Sequence, residues 1–137
     1  FAMIPAPQNQ PHGDQNSDAA WFPVSGQGVN VKLALDHTKL LEAAILRLRN
    51  KVEYTSLPAY LLPEEFTLSD LQRMYEVVLE RRIEKSAFRT RVFAANLVEP
   101  VDKLRAGPNR PAQLYRLAHP KEIVYFPRTF SPRKANE

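Results

Sequence analysis

Three segments of this chain carry apolar residues at helical spacing, and two strand-like segments follow them around a basic, proline-containing loop. That order constrains the fold more than any compositional measure. Leu40, Leu41, Ala44, Ile45 and Leu48 form the first stripe, behind Asp36 as a candidate N-cap, and predict a helix over about 37–52. Tyr54 to Pro63 is apolar but broken by Pro58 and Pro63, and reads as a short turn or strand packed on the core. Thr67-Leu68-Ser69-Asp70 opens a second helix. Thr67 caps it, and Asp70 can reach back to the Thr67 amide as in a capping box. Leu68, Leu71, Tyr75, Val78 and Leu79 make its stripe.

A break at Glu80-Arg81-Arg82 precedes a third helix over about Glu84 to Ala95, with Ile83, Ala87, Phe88, Val92 and Ala95 inward. Leu97 to Val101 and Gln113 to Leu117 then read as strands, joined by a loop with Lys103, Arg105, Gly107, Pro108, Arg110 and Pro111. Ile123 to Phe126 is a further strand or docking segment. Residues 127–137 read as a flexible basic tail. Residues 1–30 hold a short apolar start, a polar loop from Gln8 to Ala20, and the aromatic run Trp21-Phe22-Pro23-Val24. They carry too few apolar residues for a core of their own. Trp21 reads as an anchor toward a missing domain.

Length and chemistry narrow the function. A chain of 137 residues accommodates one modest core. The absence of cysteine excludes disulfides, thiolate zinc sites and a cysteine nucleophile. His12, His37 and His119 lie far apart, and His37 reads as structural. Glu64-Glu65 precedes a helix, where acids are favoured by the dipole. No acid–base or metal constellation suggests a free-standing enzyme. No run is long enough to span a membrane. The opening Phe1-Ala2-Met3-Ile4-Pro5 lacks the features of a signal peptide and reads as part of a longer protein.

The net charge of +4 is unevenly distributed: residues 1–79 carry −3 and residues 80–137 carry +7. A basic half points to a polyanion, nucleic acid first. Helix, helix, turn, helix and basic hairpin is the order of a winged helix-turn-helix, an α+β fold of three helices with a two- to three-stranded wing. Its third helix can lie in a major groove. Lys85, Ser86, Arg89, Thr90 and Arg91 are the donors that groove would meet, with Arg89 the leading base reader. Lys85 and Arg91 suit phosphates, though Arg91 could instead pair with Glu76 or another acidic residue of the second helix. Phe88 reads as core. Arg105 and Arg110 of the wing, which could also enter a minor groove, Arg81 and Arg82 of the turn, and Ser69, Gln72 and Arg73 early in the second helix are the candidate backbone contacts.

An ordered series then carries a family resemblance: Trp21-Phe22-Pro23-Val24, Leu33-Ala34-Leu35-Asp36-His37, Leu46-Arg47-Leu48-Arg49, Leu61-Leu62-Pro63, Phe66-Thr67-Leu68-Ser69-Asp70-Leu71-Gln72, Tyr75-Glu76, Lys85 with Phe88-Arg89, and Arg110-Pro111-Ala112 with Leu114-Tyr115-Arg116. Over roughly residues 21–117 the chain resembles the C-terminal part of the Nudix-related transcriptional regulators. The resemblance implies that 1–30 is a remnant of a Nudix domain with its linker and 31–126 the winged helix-turn-helix. It implies a homodimeric, cytoplasmic bacterial repressor of NAD metabolism, bound to a palindromic double-stranded operator. ADP-ribose or a related nucleotide, held by the Nudix domain, would release it. Some relatives control sugar catabolism instead. The Nudix box is absent here, so the chain is expected to hold no cofactor and to hydrolyse nothing. Ala87 stands where relatives usually carry Asn, which removes a bidentate adenine contact. The alternative is a protein-interaction or dimerisation winged helix appended to an active Nudix hydrolase.

Overall fold

The computed structural model describes residues 20–26, 28–108 and 110–127; the segments expected at 1–19 and 128–137 lie outside them. The described residues fall into two units, divided between Leu48 and Arg49 within the first long helix.

In the first unit, β1 (Val24–Ser25) and β2 (Gly28–Val29) form a small antiparallel hairpin. Gly28 has φ 95°, a conformation only glycine adopts without strain. Trp21 and Phe22 are exposed. Helix α1 (His37–Glu53) begins where the Leu40 amide reaches the Asp36 carbonyl, which puts Asp36 at the expected cap position. Leu40 departs from its expected inward place and is 65% exposed.

The second unit contains the core. Val52, at the end of α1, is fully buried. Leu57–Leu61 forms a 3-10 turn with Pro58 in its first turn, the turn rather than the strand of the two forms expected. Helix α2 (Leu68–Leu79) carries the expected capping box: Thr67 Oγ1 accepts from the Asp70 amide at 3.1 Å, and Asp70 accepts from the Thr67 amide at 2.9 Å. Leu68, Leu71, Tyr75 and Leu79 are its buried face. Glu80 ends it in the left-handed region with φ 50°.

Helix α3 (Lys85–Ala94) is capped by Glu84, whose carboxylate accepts from the amides of Ser86 and Ala87. Those two bonds hold the Glu84 carboxyl below the usual glutamate range. Phe88 and Val92 are buried as expected, with the Phe88 ring edge-on to Tyr75 at 5.4 Å, whereas Ala87 is exposed. The helix ends in a Schellman motif. Asn96 takes φ 48°, its amide bonds the Phe93 carbonyl, and the Leu97 amide bonds that of Val92.

Leu97 leads into β3 (Val98–Arg105), which pairs antiparallel with β4 (Ala112–Leu117). Phe66 adds two backbone bonds to Tyr115 on the other edge of β4, giving the wing a third, one-residue strand. Sequence pattern alone ended the first strand at Val101. It continues to Arg105 because the ladder absorbs an irregularity between Pro100 and Leu104. The Gln113 side-chain amide donates to the carbonyls of Val101 and Lys103 there, so the interrupted ladder does not orphan them.

The chain finally returns to the start of the unit. Tyr125 bridges Thr55, the Ser56 amide donates to the Val124 carbonyl, and the Phe126 amide donates to that of Tyr54. This is the docking segment expected at 123–126. Phe126 is buried beside Tyr75, whose hydroxyl donates to the Thr55 carbonyl at 2.7 Å.

Candidate nucleic-acid interface

On α3, Phe88 and Val92 point inward, so the period of the helix sends residues 86, 89, 90 and 93 toward or beside the opposite face. Lys85, Ser86 and Thr90 are exposed there and Arg89 is half-buried. The side chains of Lys85, Arg89 and Thr90 have no hydrogen-bond or ion-pair partner among the described residues. A helix that presents cations and hydroxyls uncommitted to its own fold can offer them to a polyanion. Phe93 joins this face, 49% exposed, and its ring approaches Tyr115 of β4 at 6.0 Å, so α3 and the wing meet there.

The turn between α2 and α3 is fixed from α2. Glu76 accepts from the Ile83 amide at 2.8 Å, and the Gln72 amide donates to the Ile83 carbonyl at 3.0 Å. The first of these bonds holds the Glu76 carboxyl below its usual range. Gln72, a candidate phosphate contact in the sequence, therefore faces the turn. Arg82 reaches Glu76 at 3.5 Å with its side chain 95% exposed, and Arg81 pairs with Glu53 at 2.7 Å. Ser69 and Arg73 are exposed on α2.

Arg91 has a different environment from its neighbours on α3. Its guanidinium donates to the carbonyls of Glu53 and Pro127, and lies 4.3 Å from the centre of the Phe126 ring. It joins α1, α3 and the returning segment. Partial burial lowers its affinity for the proton somewhat.

On the wing, Arg110 is exposed. Arg105, expected in the loop, lies on β3. It meets Asp70 through both guanidinium Nη atoms, at 2.8 and 3.0 Å, and Thr67 Oγ1 at 3.2 Å. Partial burial opposes the Asp70 charge, but the bonds from Arg105 and Thr67 outweigh it and hold the carboxyl below its usual range. Lys103 similarly pairs with Glu65 at 2.7 Å. Sequence reasoning missed Gln113, Glu84 and the Lys103–Glu65 pair. The spacing Glu65, Asp70 against Lys103, Arg105 was visible, but its pairing depends on the wing folding back. No group of three or more metal-ligating side chains exists among the described residues.

Comparison with known proteins matches residues 58–117 to the NrtR DNA-binding winged helix domain. The match covers the 3-10 turn, α2, α3 and the wing, which include the exposed donors above. The chain is 40% identical over 128 residues to a protein of Acinetobacter baylyi named ADPR responsive transcriptional repressor NtrR. The alignment takes in 93% of this chain and 51% of that protein, so the chain spans about half its relative's length. Among solved structures, Shewanella oneidensis NrtR complexed with a 27mer DNA is similar at TM-score 0.56 and 41% identity, covering 64% of this chain and 40% of that one. A second structure of Shewanella oneidensis NrtR gives TM-score 0.54 and 42% identity over the same shares. The α+β winged helix expected from the sequence is therefore the fold of the NrtR domain.

Proposed function

We propose that this chain binds double-stranded DNA through α3 and the wing, as the DNA-binding part of a bacterial transcriptional repressor. The match of residues 58–117 to the NrtR DNA-binding domain carries this reading. The uncommitted donors of α3 support it, as does the similarity to an NrtR crystallised with DNA. Arg89 reads a base edge from the groove. Lys85, Ser86, Thr90, Arg81, Arg82, Arg73, Ser69 and Arg110 contact the backbone around it. Residues 31–126 form the DNA-binding domain, and 1–30 are the end of a Nudix domain. The whole protein is a cytoplasmic homodimer that places two α3 helices on a palindromic site. ADP-ribose or a related nucleotide, bound outside this chain, releases it. The name of the Acinetobacter baylyi relative supports that effector. The chain acts by binding and carries out no hydrolysis itself. No helix among the described residues is long and apolar enough to cross a membrane.

Selection from random duplex DNA, followed by a salt titration of the enriched site, tests this. Expected is a palindromic site whose log K falls by about 0.9 per log unit of salt for each phosphate neutralised. Absence of enrichment by both this chain and the full-length protein overturns the reading, in favour of a protein-interaction winged helix.

A further inference from the structure

Asp70 holds Arg105 in the arrangement with which arginine grips a phosphate. Two guanidinium nitrogens face two carboxylate oxygens, at 2.8 and 3.0 Å. The same carboxylate closes the capping box of α2, which fixes its position. Glu65 and Lys103 repeat the pairing two residues back along β3. Lys103 and Arg105 share one face of the strand by the period of two, and both are met by carboxylates from the segment that opens α2. The outer part of β3 is exposed from Asp102 onward, so apolar burial does little to hold it. Its ladder holds it to β4, and charge pairing ties it to the segment that opens α2.

We propose that Asp70 is an internal phosphate surrogate: it occupies the Arg105 guanidinium in free protein and gives way to a DNA phosphate when the wing is engaged. This rests on the DNA-binding reading above. DNA that meets the wing squarely replaces one anion by another, and Arg105 loses no partner. DNA that binds askew must either leave Arg105 with Asp70 or bring its phosphates against an unneutralised carboxylate. The pair thus lowers the affinity for loosely placed DNA. Thr67 Oγ1, 3.2 Å from the guanidinium, keeps Arg105 near the same place during the exchange.

The test is a double-mutant cycle read by DNA binding of this chain at several salt concentrations. Asp70→Asn keeps an oxygen able to accept from the Thr67 amide and removes the charge. Expected is about threefold tighter binding to duplexes of unrelated sequence at low salt. The salt slope should steepen by about 0.9, as Arg105 neutralises a further phosphate. Both gains should vanish when Asp70→Asn is made in an Arg105→Ala background. The urea midpoint of each variant shows that the binding is that of folded protein. An unchanged slope, weaker binding, or a gain that persists without Arg105 overturns the proposal. The last result would assign the effect to the lost charge alone. If neither parent nor variant, nor the full-length protein, binds any duplex, the DNA-binding reading fails and this proposal with it. If the parent binds and the cycle shows no coupling, only the surrogate role of Asp70 fails.

Discussion

Arg105 on β3 and Asp70 in the first turn of α2 stand 35 residues apart in sequence and meet through two guanidinium nitrogens. The pair connects the wing to the cap of the helix that precedes the turn into α3. One carboxylate therefore serves local helix initiation and long-range placement together. Four consequences of this and neighbouring contacts are open to measurement.

Thr67→Ala removes the oxygen that accepts from the Asp70 amide and the one that Arg105 also meets. The expected cost is about 1 kcal/mol of stability. It appears as a lower urea midpoint with an unchanged slope, since the same surface unfolds. Thr67→Ser should recover most of the loss.

Arg89 and Arg91 sit two positions apart on α3 and should respond oppositely. Arg89→Ala is expected to lose about 1–3 kcal/mol of DNA affinity and relax preference at one or two base positions, with unfolding nearly unchanged. Arg91→Ala gives up the bonds to Glu53 and Pro127 and the approach to Phe126. It should lose about 2 kcal/mol of stability and leave the affinity of the folded protein close to that of the parent. Unfolding curves and titrations on the same two variants check both statements.

Acid should weaken the fold through three carboxylates. Glu76, Glu84 and Asp70 all have folded-state values below their ordinary ones of 4.5, 4.5 and 3.8. The unfolded chain thus binds their protons first. Their contribution is fully present above the ordinary values and disappears as pH falls through the lowered ones. The thermal midpoint should hold steady from these groups between pH 7 and 5 and decline below about 4.5. Glu76→Gln and Glu84→Gln should each flatten that decline.

Asn96 at φ 48° ends α3 in a conformation that β-branched residues resist. Asn96→Val should cost about 1–2 kcal/mol, and Asn96→Gly should be tolerated. Chemical denaturation of the two variants distinguishes backbone strain at this corner from loss of a side-chain contact.

Local signals made α2 readable from sequence, since Thr67 and Asp70 lie within one helical turn and the stripe from Leu68 to Leu79 is regular. The inward faces of Phe88 and Val92 followed from the same period. The start of α3 was placed within one residue, although Glu84 caps it with a side chain outside the usual set of short polar residues. The outer wing was misread as loop. Its strand depends on Gln113 bonding across an irregular ladder and on carboxylates drawn from a distant segment. Arg91 looked like its neighbours on α3 because nothing within the helix reports the carbonyls of Glu53 and Pro127. Of the candidate interface, the α3 donors were legible as residue types. Which of them the fold engages elsewhere was not.

The pairing of Thr55 with Tyr125 sets the chain just after α1 beside the segment that closes the described part of the second unit. Tension applied along the polypeptide at these two points would run straight into the Ser56–Val124 and Tyr54–Phe126 backbone bonds. In an antiparallel pair drawn apart from the same side, such bonds yield one after another and share no load. The unit thus has a mechanical seam, at which it would begin to open while the helices behind it were still intact.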